Sequence, residues 1–509
     1  MKLPFAKNTK RNLLAGYLNQ MIGLLFPFLN RTLFLWLLGP EFLGLNGLFR
    51  SVIGMMSLAE LGFNTAIVCS MYKPIADDDQ ELVCAYLAFF RTVYRWIGTI
   101  VLLIGLCLMP FLRHLIHGSL PPGINLHVLF LIHLGNTVLS YFLFAYRGPV
   151  LTAYHRNDVS LHINTITQTI QYVVVFFVLL FTRNYYAYIA TTVFFTALKN
   201  LVVLRESVRL FPHIAPRGRL CTAARRRIRS DVRSIFLHKI GGVITGSADN
   251  IVVSAFLGLS AVAVYGNYYY VLASVAGLIA VLNNATQSGF GNRLHTESQR
   301  KIFVLFMRMT RVTMMVTACC AAMMASLYQP FIAIWTKHDP ALLRHALTPI
   351  LMVFHFYVAQ SRQTLLMFKG AAGIWQEDRW KPIVAGMFNL ALNLSFVLFL
   401  PEEYKLDGVI FSTTISFICI QIPWESHAFF SRYFGWEKAR AYWAMHARSA
   451  LATGFLCASA WWISRAVTVP GIPGFIFRAL VAAAVTGALL SSFFFRGVND
   501  AIDFIRKKT

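Results

Sequence analysis

Asn19, Gly23, Pro27, Asn30 and Arg31 recur at three- and four-residue steps inside an otherwise apolar run. On a helix that spacing places them on one face. Gly47, Arg50, Gly54, Ser57, Glu60 and Asn64 repeat the device in the next run, with Asn46 beside them, and Lys239, Gly242, Thr245 and Asp249 repeat it in a third. A guanidinium takes phosphate oxygens two at a time, and an ammonium binds them as a point charge. Arg31, Arg50, Lys239 and Arg362 are therefore candidates to hold an anionic headgroup, with Asn30, Asn46 and Asn64 adding hydrogen bonds. Glu60 and Asp249 lie deep in apolar sequence, where a carboxylate needs a cation, a bound proton or a sodium ion. They are candidates for ion coupling or for pairing between helices, Arg31 with Asp249 being the structural version. Snorkelling to the nearest interface is the competing reading for Arg50, Lys239 and Arg362.

Nothing of comparable quality points to catalysis. Asp77, Asp78 and Asp79 in ADDDQE have the spacing of a metal and nucleotide-sugar site, but they sit in a short polar loop with no Rossmann-like domain around them. His114, His117, His133 and His155 show no ligand spacing, and there is no GxxxxGK[ST] phosphate loop. The expectation is a protein that is not an enzyme, with no catalytic residue, no metal and no cofactor.

The elements that must carry these polar positions are membrane helices. Of 509 residues 57% are apolar and 13% charged, and the mean hydropathy is +0.59. Apolar runs long enough to cross about 30 Å of hydrocarbon recur along the whole chain. They fall near residues 13–38, 47–71, 91–112, 127–146, 161–182, 186–204, 236–257, 262–284, 308–334, 345–368, 382–400, 408–429, 446–464 and 475–495. The fold class expected is all-α, polytopic, with about fourteen transmembrane helices. The domains would be an N-terminal lobe over 1–210, a basic linker over 211–234, a C-terminal lobe over 235–430, and a helix pair with a tail over 431–509. The two lobes would hold six helices each around a central cavity.

The formal net charge of +25 would suggest nucleic acid on a soluble protein. Here most lysines and arginines cluster in the N-terminal tail, in alternate loops and in the C-terminal tail, which is the positive-inside pattern. Both termini are expected in the cytoplasm, and no nucleic-acid partner is expected. The Arg-rich stretch from Arg205 to Arg233 reads as a cytoplasmic loop anchored beside anionic lipid headgroups. Most of the eight cysteines lie in apolar runs and none forms a CxxC pair, so they read as small buried residues. An offset of 219 residues lays Asn30 and Arg31 on Asp249 and Asn250, and Leu38 and Gly39 on Leu257 and Gly258, a faint internal repeat of like orientation.

The segment LGPEFLGLNGLFRSVIGMMSLAELGFNTAIVCSMYKPIADDD resembles the corresponding region of Wzx-like capsule and O-antigen flippases in the multidrug/oligosaccharidyl-lipid/polysaccharide exporter superfamily. The resemblance continues through YRGPVLTAYHRND, KIGGVITGSADNIVVSAFLGLSAVAVYGNYYYVL, GFGNRLHTES, FKGAAGIWQEDRWKPIVAGMFNLALNLSFVLFL and GVIFSTTIS. YHRND departs from the family's string, and the last two spans match weakly. The resemblance implies a two-lobe alternating-access transporter in the bacterial cytoplasmic membrane. Its cargo would be an undecaprenyl-diphosphate-linked glycan, and its partners membrane lipids, the polysaccharide polymerase and other assembly proteins. The alternatives are a drug or lipid II exporter of the same superfamily and, from another class, a membrane glycosyltransferase or polymerase.

Overall fold

The computed structural model describes residues 5–57, 63–154, 156–374 and 377–493, with most of the side chains from Ile22 onward. Among them there is no strand. The first half contains α1 (Phe5–Leu38), α2 (Pro40–Met56), α3 (Phe63–Ala76), α4 (Gln80–Leu108), α5 (Leu126–Phe142), α6 (Gly148–Ala153), α7 (Asn157–Thr182) and α8 (Tyr185–Leu210). The second contains α9 (Thr222–Leu257), α10 (Leu259–Thr296), α11 (Gln299–Trp335), α12 (Leu347–Ser361), α13 (Gln363–Ala371), α14 (Lys381–Phe399), α15 (Glu402–Ser416), α16 (Ile422–Phe429), α17 (Trp436–Ser464) and α18 (Gly471–Phe493).

Each expected span is matched by one helix or one broken pair. Eight helices among the described residues are long and apolar enough to cross a bilayer, and Leu126–Phe142 with Ala145–Ala153 makes a ninth across a bend of 42°. With the more polar spans the total is about fourteen. Phe399, Phe181, Leu451 and Trp462 are 84%, 79%, 77% and 74% exposed, apolar surface that water would penalise and acyl chains solvate. Helix starts follow from caps. The side chains of Asn125 and Asn184 accept from the first backbone N–H groups of α5 and α8. Asp79 does the same for α4, accepting from Leu82 N at 2.9 Å, so one residue of the acidic triplet has a structural occupation. The stretch expected as a basic loop is helical from Thr222, because ARRRIR continues α9 beyond the apolar run.

Contacts divide the chain into two compact units, one of residues 22–263 and one of 1–21 with 264–509. In the first, α7 packs on α8, α4 on α5 and α2 on α9. The two glycines of the repeat share one conformation: Gly39 has φ 97 and ψ 172, and Gly258 φ 90 and ψ 176. Each ends one helix and starts the next with no intervening loop, a left-handed turn that favours glycine. In the second unit Phe306 sits among Phe368, Phe429, Phe430, Phe434 and Tyr442, tying α11, α13, α16 and α17 into one aromatic core.

Candidate substrate site

Within the unit of residues 22–263, α1, α2, α5, α7 and α8 bring their polar groups together. Asn30 is buried, and its Nδ2 donates to the carbonyl of Tyr172 at 3.0 Å, which pins α1 to α7. One turn earlier the Phe26 ring stacks on Tyr172. Arg31, the next residue, is half-buried and within electrostatic reach of Tyr188 on α8. Arg50 on α2 is exposed and within reach of the same Tyr188, of Tyr172 and Tyr185, and of His133 on α5. Both guanidinium groups therefore lie within electrostatic reach of Tyr188.

Tyr188 and Tyr185 belong to a cluster held by its own hydrogen bonds. The Tyr185 hydroxyl donates to Asn46 Oδ1 at 3.3 Å and lies 3.1 Å from His133 Nε2. Phe34 meets Tyr185 and Tyr188 edge-on, at 5.3 and 4.9 Å between ring centres, and Phe42 meets Tyr185 at 5.9 Å. Tyr185 and Phe34 are themselves buried, so they brace the cluster, and the two guanidinium groups are the part suited to an anion. Tyr185→Phe removes the hydroxyl that Asn46 and His133 share, and is expected to cost about 1–3 kcal/mol. A lowered melting temperature of the detergent-purified protein, with normal membrane insertion, is the readout. An unchanged value would show that the shared hydroxyl holds nothing.

On α9 Asp249 is buried, and the next residue, Asn250, donates through Nδ2 to Ser51 Oγ at 2.9 Å, one position beyond Arg50. Asp249 thus lies in the same unit as Arg31 and Arg50. Glu60 and the side chains of Asn64 and Lys239 lie outside the described residues.

Arg362 belongs to the other unit and has a partner. It stands at the break between α12 and α13, buried, with Nε donating to Glu425 Oε2 at 3.0 Å and Nη2 to Glu425 Oε1. Its guanidinium also lies 4.6 Å from the centre of the Phe417 ring. Glu425 accepts from Lys381 Nζ at 2.6 Å as well. Lys381 is 3.1 Å from Asp378, which also pairs with Lys369. All five are buried, three cations and two carboxylates joining α13, α14 and α16 to the break.

Sequence reasoning missed Tyr172, Tyr185, Tyr188 and the role of His133, and it missed the partners of Arg362. Tyr185 and Tyr188, near the start of α8, read as an interfacial belt, and Tyr172, in mid-helix, reads as core. Glu425 left a usable signal, because a carboxylate inside IPWESHAFF needs a cation near it.

No family model and no curated protein matches the chain. Solved structures do. A lipid II flippase, MurJ, in an inward closed conformation aligns with a TM-score of 0.64 at 14% identity, over 94% of this chain and 98% of that one. An inward-facing multidrug resistance MATE transporter of the MOP superfamily aligns with a TM-score of 0.59 at 14% identity, over 80% and 94%. A MATE protein in a bent conformation aligns with 0.54 at 14%, over 84% and 97%. These neighbours are transporters and flippases by name, and what the chain shares with them is an all-α, many-span fold.

Proposed function

We propose that the protein is a flippase moving an undecaprenyl-diphosphate-linked oligosaccharide from the cytoplasmic to the outer leaflet of a bacterial inner membrane, for surface polysaccharide assembly. The observation that carries this reading is that Arg31 and Arg50 both lie within electrostatic reach of Tyr188, whose neighbours Phe34, Tyr185 and Asn46 form a hydrogen-bonded, aromatic cluster. Guanidinium groups suit the diphosphate. The polyprenyl tail stays in lipid while the site is exposed to one side and then the other. An inside-negative potential favours outward movement of the anionic headgroup by about 2.3 kcal/mol per charge per 100 mV. The fold shared with a lipid II flippase supports lipid-linked cargo. A drug exporter is the weaker reading for any cationic drug, because two arginines repel such cargo. Asp249 is the candidate for a proton or sodium step.

Arg31→Ala and Arg50→Ala are each expected to lower polysaccharide export at least tenfold at unchanged membrane abundance. Arg→Lys at either position should retain part of it. Lipid-linked intermediates should accumulate, identified by mass spectrometry of the lipid extract. Normal export in both alanine variants, or no lipid-linked glycan in a deletion strain, sinks the reading.

A further inference from the structure

The ends of α11 and α17 and the starts of α12 and α18 leave between them a cleft of about 700 Å³, wholly within the unit of residues 264–509. Its walls are mostly hydrocarbon. Along α11 three of the residues facing it, Ala325, Ser326 and Ala333, are short and leave room in it, beside Gln329, Pro330 and Ile334. Ile334, Ile350, Val353 and Phe475 form the apolar lining, in a stretch where Ile350, Ile472 and Ile476 are 56%, 63% and 53% exposed and the outer surface is solvated by lipid. Apolar space of this size is costly to leave empty, and apolar walls do not hold water. In a bilayer the abundant filler is an acyl chain.

The lining contains His338, Arg465 and Arg478 and no acidic residue. Arg478 is fixed, because Nε and Nη2 both donate to the Val467 carbonyl, at 3.1 and 2.8 Å. The start of α18 is equally fixed: Gly471 has φ +71, and a Cβ at Gly474 would stand 1.7 Å from the Val469 carbonyl oxygen. Arg465 lies with its guanidinium 4.6 Å from the Trp461 ring centre. Two guanidinium groups in the lining of an apolar cleft are complementary to a phosphate that carries a hydrocarbon chain.

We propose that this cleft holds one anionic phospholipid, with an acyl chain between Ile334, Ile350, Val353 and Phe475 and the phosphate on Arg465 and Arg478. The volume lies in the range that takes one drug-sized ligand, which suits an acyl chain and not a polyprenyl chain several times longer. The site is separate from the Arg31 and Arg50 cluster, and its failure would leave the flippase reading untouched.

The test is native mass spectrometry of the full chain, delipidated in detergent and titrated with phosphatidylglycerol, phosphatidylcholine or undecaprenyl phosphate. One phosphatidylglycerol per chain is expected, bound on the order of tenfold or more tighter than phosphatidylcholine. Arg465→Ala with Arg478→Ala should remove that preference, and Ala333→Phe, which fills the cleft and keeps the arginines, should remove lipid binding altogether. Circular dichroism confirms that each variant is folded, and Ala325→Leu serves as the filling variant if Ala333→Phe is not. Equal retention of the two phospholipids overturns the proposal. So does an unchanged preference in the arginine variant, or displacement of phosphatidylglycerol by undecaprenyl phosphate at equal concentration. A second copy of the chain lost from the assembly in the filling variant would overturn it too.

Discussion

Glu425→Ala is expected to remove most of the folded protein from the membrane. The carboxylate is 1% exposed and accepts from both Arg362 and Lys381, so its loss takes the counter-charge from buried Arg362 and leaves Lys381 with Asp378. Asp378 is already paired with Lys369. Removing one partner of a buried ion pair costs about 3–5 kcal/mol, because the other partner stays dehydrated and uncompensated. That is a large part of a net stability of about 5–15 kcal/mol. Arg362 stands where α12 gives way to α13, so the same loss frees the break that the pair holds. Glu425→Gln keeps the shape and one acceptor and should fall between. Pairing Glu425→Ala with Arg362→Leu should recover part of the loss, since deleting both members of a buried pair is often close to neutral. Fluorescence-detected gel filtration of the solubilised protein, followed by melting, reads the series. Wild-type yield and melting temperature in Glu425→Ala would show that the five charges are not a structural unit.

The same network shows where sequence reading stops. Arg362 stood out as a cation in an apolar run, and that signal is physical, because a lone charge at such depth is costly. Its partner lies 63 residues away on another helix. No spacing rule connects positions that only tertiary packing brings together. Arg31 and Arg50 were legible for the same reason as Arg362, and their common neighbourhood was not, since Tyr172, Tyr185 and Tyr188 have the residue type of both a core and an interfacial belt. The spans were legible almost throughout, and their largest errors have one direction. Expected starts near 91, 236 and 308 stand against Gln80, Thr222 and Gln299. Hydropathy reports the solvent around a helix, and these helices run on past the hydrocarbon with charged side chains. Of the aligned positions at the 219-residue offset, Gly39 and Gly258 share a loop-free turn that needs a backbone few other residues adopt.

Gly44→Val is the second substitution with a large expected effect, and its reason is a backbone contact. A Cβ at Gly44 would stand 1.8 Å from the Leu259 carbonyl oxygen, which cannot turn aside as a side chain can. The close approach continues along α2. A Cβ at Gly47 would meet Val262 Cγ1 at 3.2 Å, Ser51 accepts from Asn250, and a Cβ at Gly54 would meet Ser247 Oγ at 3.4 Å. Small residues at three- and four-residue steps let α2 lie against α9 and the start of α10, the packing that membrane helices use where hydrophobic burial gives no advantage. Gly44→Val should therefore cost about 3 kcal/mol or more, whereas Gly47→Ala, pressing on a side chain that can move, should cost under about 1 kcal/mol. In a background without the native cysteines, Ser51→Cys and Asn250→Cys should be bridged by a short thiol crosslinker, and the bridge should be lost when Gly44→Val is added. Crosslinking and melting that survive Gly44→Val unchanged would mean that α2 does not seat on α9 as described. The polar cluster would feel the shift, because Arg50 sits two turns further along α2, between Gly47 and Ser51.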